Sequence, residues 1–300
     1  MNNCLIIAGE KSGEEHALSF LPSLMNQAKD YHFWGVGGDE MKSAGVELIY
    51  HLKDFSSWGF SEVITKIPFY KKALNDIVDE VIKRKCTVAI LVDFQGFNMR
   101  LARRLKPLGV KVLYYVAPQA WVWKEGRVKA LQENVETLFT ILPFEKKWFL
   151  ERGVQQVVSV SHPLWLHYNK VCSSDNYGVS VKSFEWLQDN LNILLLPGSR
   201  NFEVKNLLPG FIKAARSLPF KVNIGLVESS NVDSSLFEPY RKDIEFFFDH
   251  EKIEDAFSWA GVCLAASGTV TLTCALFQVP TIMSYKSSLL NEYIFYTLLD

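Results

Sequence analysis

Short apolar runs recur along this chain and alternate with longer stretches of mixed polarity. In the first half the runs fall at residues 5–8, 32–36, 87–92, 112–116 and 137–142. Each has the length of a strand. Between them, residues 14–29, 70–85, 99–108 and 125–133 carry apolar positions at helical spacing. Short apolar strands that alternate with helices predict a parallel sheet with both faces covered.

The pattern breaks over 161–190, where "SHPLWLHYNKVCSSDNYGVSVKSFEWLQDN" brings in Pro163 and a polar Ser/Asn-rich patch. It then restarts, with strands at 192–196, 221–226, 244–248, 262–265 and 281–285, and helices at 203–217, 252–260 and 270–277. The reading is α/β with two Rossmann-like domains, 1–165 and 166–300. Such pairs take their ligand in the cleft between them, at the carboxyl ends of strands. No internal repeat or low-complexity tract interrupts the pattern.

The length, 300 residues, suffices for two such domains. A formal net charge of −1 leaves no whole-chain basic field, which argues against nucleic acid as a partner. The five cysteines (Cys4, Cys86, Cys172, Cys263, Cys274) form no CxxC pair and no metal spacing. A scattered, odd set points to reduced thiols in the cytoplasm. The first residues run straight into a strand, so no signal peptide is expected. No apolar run approaches the ~18 residues that span a bilayer.

Several loops carry chemistry. In "CLIIAGEKSGEEHALSFL" a strand breaks at Gly9, turns through Ser12 and Gly13, and enters a helix. That order suits a phosphate cradle, because free N–H groups at a helix start attract anions. It lacks the P-loop pattern GxxxxGK[ST] and also GxGxxG. Its acids, Glu10 and Glu14, would repel a diphosphate. An ordinary βα turn with Ser12 as helix N-cap is the plain alternative. In "ILVDFQGFNMRLARRL", Asp93 ends an apolar strand, where a general base facing a cleft belongs. An Asp turn is the alternative there. Trp121 and Trp123 in "YYVAPQAWVWKEGRVK" fit core packing first and an aromatic wall facing a sugar second.

In the second half, "LLLPGSRNFEVKNLLPGF" turns at Gly198 and Ser199 and sets Arg200 at a helix start. Guanidinium and backbone N–H donors there suit a diphosphate. "LAASGTVTLTCALFQVP" repeats the order with Ser267, Gly268 and Thr269. Two such loops make this half the better nucleotide holder. Finally, "WGFSEVITKIPFYKK" mixes Trp58, Phe60, Val63, Ile64, Ile67 and Phe69 with lysines. It reads either as a core-facing helix or as a basic amphipathic membrane contact.

Taken together these stretches resemble the lipid-A-disaccharide synthase family, GT-B glycosyltransferases. The carriers are "AGEKSGEEHA", "GVGGDEM", "WGFSEV", "VDFQGFN", "YYVAPQAWVW", "ILPFEKKWF", "SHPLW", "LLPGSRNFEV" and "ASGTVTL", in family order over nearly the whole chain. The resemblance implies a hexosyltransferase of lipid A biosynthesis that needs no cofactor and no tightly bound metal. The donor would be UDP-2,3-diacylglucosamine. The acceptor would be 2,3-diacylglucosamine 1-phosphate, called lipid X. The aspartate matching Asp93 would deprotonate the acceptor hydroxyl, with inversion at the anomeric carbon. Gly198, Ser199, Arg200, Glu203, Ser267, Gly268 and Thr269 match donor motifs. Glu10, Ser12, Gly13, Glu14 and Asn98 would then line the acceptor side, where carboxylates bond hydroxyls. The Trp58 to Phe69 stretch matches a segment that meets the cytoplasmic face of the inner membrane, which implies a peripheral cytoplasmic protein, with a homodimer as a possible assembly.

The chain departs from the family in places. Gly96 replaces a second acid, Glu14 replaces an aspartate, Ser161 replaces a glycine, and Thr273 stands where an acid near the donor is expected. Family members run further, so the second domain is expected to be incomplete at Asp300. A related enzyme on another UDP-N-acetylglucosamine-type sugar, either a transferase or an epimerase, and an inactive membrane-surface relative are the competing readings.

Overall fold

The computed structural model describes residues 2–55, 66–121, 126–172, 190–249 and 253–286. The chain divides into two compact units, Met1–Pro163 and Leu164–Asp300. Of the sequence's candidates, Trp58, Phe60, Val63, Ile64 and Trp123 lie outside the described residues.

Among the described residues, the first unit holds one sheet of β1 (Asn2–Ala8), β2 (Tyr31–Gly37), β3 (Glu47–His51), β4 (Val88–Val92), β5 (Lys111–Tyr115), β6 (Thr137–Thr140) and β7 (Val157–Ser159). All neighbours pair in parallel, in the order β3-β2-β1-β4-β5-β6-β7. The central strands are apolar throughout because both faces are covered. Leu5 and Ile7 enter one core with Leu91 and Phe97, while Cys4, Ile6 and Ala8 enter the other with Leu21 and Val92. That is the two-residue alternation of a strand buried on both sides.

The helices of this unit are α1 (Lys11–Leu18), α2 (Leu21–Gln27), α3 (Asp39–Ser43), α4 (Leu52–Phe55), α5 (Ile67–Lys83), α6 (Gln95–Leu105), α7 (Arg127–Asn134) and α8 (Glu145–Glu151). The single helix predicted over 14–29 is two. The chain turns at Ser19 and Phe20, and Pro22 sits in the first turn of α2, where its missing N–H costs nothing. Ser12 is not an N-cap. α1 starts at Lys11 after Glu10, which makes no side-chain capping bond, and Ser12 lies inside the first turn.

In the second unit α9 (Pro163–Cys172) precedes a parallel sheet of β8 (Leu191–Leu196), β9 (Val222–Glu228), β10 (Phe246–Asp249), β11 (Val262–Ala266) and β12 (Thr281–Ser284), in the order β10-β9-β8-β11-β12. Its helices include α10 (Asn201–Arg216), α11 (Ile253–Trp259) and α12 (Thr269–Leu276). Ile193 and Leu195 face one core, Leu194 and Leu196 the other. Each sheet is therefore doubly wound, as the apolar runs predict.

Both sheets reverse their winding once. In the first, the chain moves outward from β1 to β3 and then crosses back to β4, so β1 and β4 are neighbours. In the second the same reversal brings β8 beside β11. Loops leaving the carboxyl ends of such a neighbouring pair diverge and leave a crevice, which is where open α/β sheets take their ligands.

Candidate active site

The first reversal brings Ala8 level with Val92. The next residues are Gly9 and Glu10 on one strand and Asp93 on the other, so the two candidate acids leave adjacent strands at the same height. Asp93 and Phe94 both have φ of 46°, in the left-handed region that non-glycine residues avoid. Such residues cost about 1–3 kcal/mol each and persist only where their surroundings over-determine them. Gly9 makes room for this turn: a Cβ there would come within 2.4 Å of the Phe94 ring.

The surroundings of Asp93 are specific. Its N–H donates to the Tyr115 carbonyl (2.8 Å). Its carbonyl accepts from Tyr114 Oη (2.9 Å) and from Asn98 Nδ2 (2.9 Å), and that nitrogen also donates to the Val92 carbonyl (3.1 Å). Burial pushes the Asp93 carboxyl up to about 6, the nearby Glu10 charge adds to the rise, and the Phe94 N–H pulls against it. A carboxyl tuned toward neutrality by burial and a like charge is suited to general-base work.

The remaining residues of the first loop divide. Glu10 is exposed, and Ser12 is half-buried. Gly13 is buried where α1 crosses the ends of β1 and β4. Glu14 is 2% exposed and fully engaged. Its Oε1 accepts from the Met41 N–H (3.0 Å) and its Oε2 takes Lys11 Nζ (3.2 Å). The N–H it accepts belongs to the first turn of α3, so Glu14 ties α1 to α3. Asn98 is likewise fully buried and bonded to backbone. Gly96 is exposed in the first turn of α6. Gln95 Oε1 accepts a bond from the half-buried Arg127 guanidinium, a contact between two motifs that the sequence reading did not pair. His162, of the "SHPLW" stretch, meets His16 of α1 edge-on at 5.9 Å, and burial lowers His16 to about 4. Trp121 stacks edge-on with Phe144 at 5.0 Å and donates from Nε1 to Glu145 (3.2 Å), a packing role.

In the second unit, β8 and β11 end side by side, with Leu196 level with Ala265. Gly198 has φ of 115°, and a Cβ there would lie 2.4 Å from the Glu203 carboxylate, so this position requires glycine. Glu203, in the first turn of α10, accepts from the Ser199 N–H (3.0 Å) and from Arg200 Nη1 (3.0 Å). It organises the loop while leaving Arg200 70% exposed, with further donors on its fork. Across the reversal, Ser267 leaves the sheet after donating its N–H to the Ser284 carbonyl (2.9 Å). Ser267, Gly268 and Thr269 are exposed at the start of α12, and among the described residues nothing beyond its chain neighbours lies within 4 Å of a Cβ built on Gly268. Thr273 is buried in α12.

Of the described part of the apolar patch, Ile67 is 44% exposed. Phe69 is turned inward instead. Its ring lies 5.2 Å from Phe55 and 5.7 Å from Tyr50, in the aromatic cluster against the core. Among the described residues, no helix is long and apolar enough to cross a membrane.

Residues 4–300 match the family described as lipid-A-disaccharide synthetase. The lipid-A-disaccharide synthase of Myxococcus xanthus (strain DK1622) is 32% identical, over 97% of this chain and 76% of that protein. That of Syntrophus aciditrophicus (strain SB) is 34% identical, over 96% and 76%. The chain thus spans about three quarters of the length of these curated relatives. Among solved structures, the Staphylococcus aureus MnaA–UDP co-structure aligns over 94% of this chain and 79% of its own, with a TM-score of 0.59 at 13% identity. Methanocaldococcus jannaschii UDP-GlcNAc 2-epimerase, in complex with UDP-GlcNAc and UDP, aligns over 94% and 83%, with a TM-score of 0.57 at 15% identity. At these identities the likeness is one of fold, the GT-B-like architecture of two parallel-sheet units. With the family match over nearly the whole sequence and relatives above 30% identity, this chain belongs to the lipid-A-disaccharide synthase family, glycosyltransferases of lipid A biosynthesis.

Proposed function

We propose that the chain joins UDP-2,3-diacylglucosamine to 2,3-diacylglucosamine 1-phosphate, giving the β-1,6-linked disaccharide 1-phosphate and UDP. The observation that carries the reading is Asp93: a carboxyl at a sheet reversal, on a strained turn, with its titration raised to about 6. At neutral pH it is mostly ionised and takes the proton of the acceptor 6-hydroxyl. That oxygen bonds to the anomeric carbon from the face opposite UDP. The anomeric C–O bond to UDP breaks, and its electron pair leaves with the diphosphate. Donors on Arg200 and at the starts of α10 and α12 offset the charge that develops on UDP. Glu10, beside Asp93, accepts hydroxyl donors from the acceptor. The acyl chains of both substrates favour work at a membrane surface. Exposed Ile67 suits such a contact, and co-sedimentation with anionic vesicles that Ile67→Asp weakens would support it.

The test is UDP release from the two acylated substrates. Asp93→Asn should lower kcat by about 10²–10⁴-fold while leaving donor binding intact. Undiminished turnover in that variant overturns the assignment. Thr273, in the place of an acid, is the observation that favours another UDP-sugar as donor. Preference for a non-acylated donor in a UDP-sugar panel would select that second reading.

A further inference from the structure

The turn that presents Asp93 is held by two side chains outside the reacting groups. We infer that Tyr114 and Asn98 are positioning residues, a pair of buried donors that grip the Asp93 carbonyl and thereby set the direction of its carboxylate. The inference rests on the proposed role of Asp93 as the base.

Both side chains are fully buried, and both aim a donor at one oxygen, each at 2.9 Å. Tyr114 comes from β5, Asn98 from the first turns of α6, so the grip joins the sheet to the helix that follows the turn. A carbonyl fixed from two directions fixes the peptide plane between Asp93 and Phe94. That plane aims the Phe94 N–H, whose dipole beside the Asp93 carboxylate favours its charged form. The orientation of the Asn98 amide is set by its neighbours. Nδ2 faces two carbonyls, whereas Oδ1 is buried without a hydrogen-bond partner among the described residues. Leaving a buried acceptor unmet is unfavourable, and a leucine of similar volume would avoid it. What the asparagine supplies at this place is its donor side. Without the grip, Asp93 and Phe94 relax from φ of 46° toward the right-handed region, and the carboxylate swings away from the Phe94 N–H.

Tyr114→Phe removes one hydroxyl and little volume. It should lower kcat about tenfold to a hundredfold, the scale of a sub-ångström to 1 Å misplacement, with both KM values within about twofold of wild type. Because the carboxylate loses an N–H dipole that favours its charged form, the acid limb of the rate profile should move to higher pH. Asn98→Leu should act in the same direction. In an Asp93→Asn background, Tyr114→Phe should leave the residual rate unchanged, which a general structural role would not do. The carboxyl ¹³C titration of Asp93 reads the same effect without turnover: a midpoint near 6 in the wild type, raised in Tyr114→Phe. If the wild type turns over neither substrate pair, the proposed reaction fails, and this titration still decides the grip. An unshifted midpoint in Tyr114→Phe, an unchanged kcat, or an equal loss in the Asp93→Asn background overturns it.

Discussion

Asp93 sets two effects against each other. Its pKa is raised in the folded protein from 3.8 to about 6, mainly by burial and then by Glu10. The folded state therefore holds the proton more tightly than the unfolded chain does. Stability is highest below pH 3.8 with respect to this group, falls as pH rises through 6, and is fully reduced above that. Asp93→Asn should consequently stabilise the first unit at pH 8 by about 1–3 kcal/mol and leave it unchanged near pH 3.5, read by urea denaturation. The same variant loses activity, so a more stable and inactive protein is the expected combination. Glu10→Gln removes a like charge. The acid limb of kcat/KM should then move to lower pH, and a limb that stays at about 6 would show that burial alone sets it. The place of Asp93 at the end of β4 was legible in the sequence because a lone carboxylate ends a wholly apolar strand. Tyr114 was not, because its role depends on a neighbouring strand that carries it to a residue 21 positions away.

At the scale of elements, the interior strands of both sheets and the edges of the second, β10 and β12, were legible, and the edges of the first sheet were not. β1, β4, β8 and β11 are covered on both faces and read as apolar runs. β3, of sequence ELIYH, and β7, of sequence VVS, close one end of the first sheet each; apart from buried Val157 their side chains are half-buried or exposed, so no apolar run marks them. β3 is held by a bidentate ion pair instead: Arg84, just after α5, donates to both Glu47 oxygens at 2.8 and 2.9 Å. These bonds, with His32, hold the Glu47 carboxyl at about 2, below its ordinary 4.5. A depressed carboxylate contributes stability above 4.5 that is lost as pH falls toward 2. Glu47 is 45% exposed, so solvent screens the pair and the contribution stays within about 1 kcal/mol. Arg84→Ala should flatten the stability profile of the first unit between pH 4.5 and 2. In the second unit, Glu203→Ala should free the Gly198 turn and weaken UDP binding about tenfold, the effect of losing one charge-assisted bond. Unchanged UDP affinity would mean that the loop holds its shape without that carboxylate.

For the molecule as a whole, the doubly wound class follows from sequence patterning, because parallel strands cannot hide their double burial. The buried link from Glu14 to the Met41 N–H was invisible for the opposite reason: an acid beside a glycine loop looks like a ligand until the fold closes α3 over it. If the second unit alone holds the nucleotide diphosphate, hydrogen exchange with UDP present should slow at residues 198–203 and 267–270 and stay unchanged at 9–12 and 93–98. Protection at both sets would assign the first loop to the nucleotide after all. The Asp93 turn hangs on β4 through its own N-terminal peptide and on β5 through the bonds to Tyr114 and Tyr115. Both strands lie inside the sheet, with neighbours on either side. Heat can therefore displace the Asp93 carboxylate only by melting those strands, and if Asp93 is the proposed base, loss of activity on warming should coincide with collapse of the first unit's circular dichroism, with no inactive but folded stage preceding it.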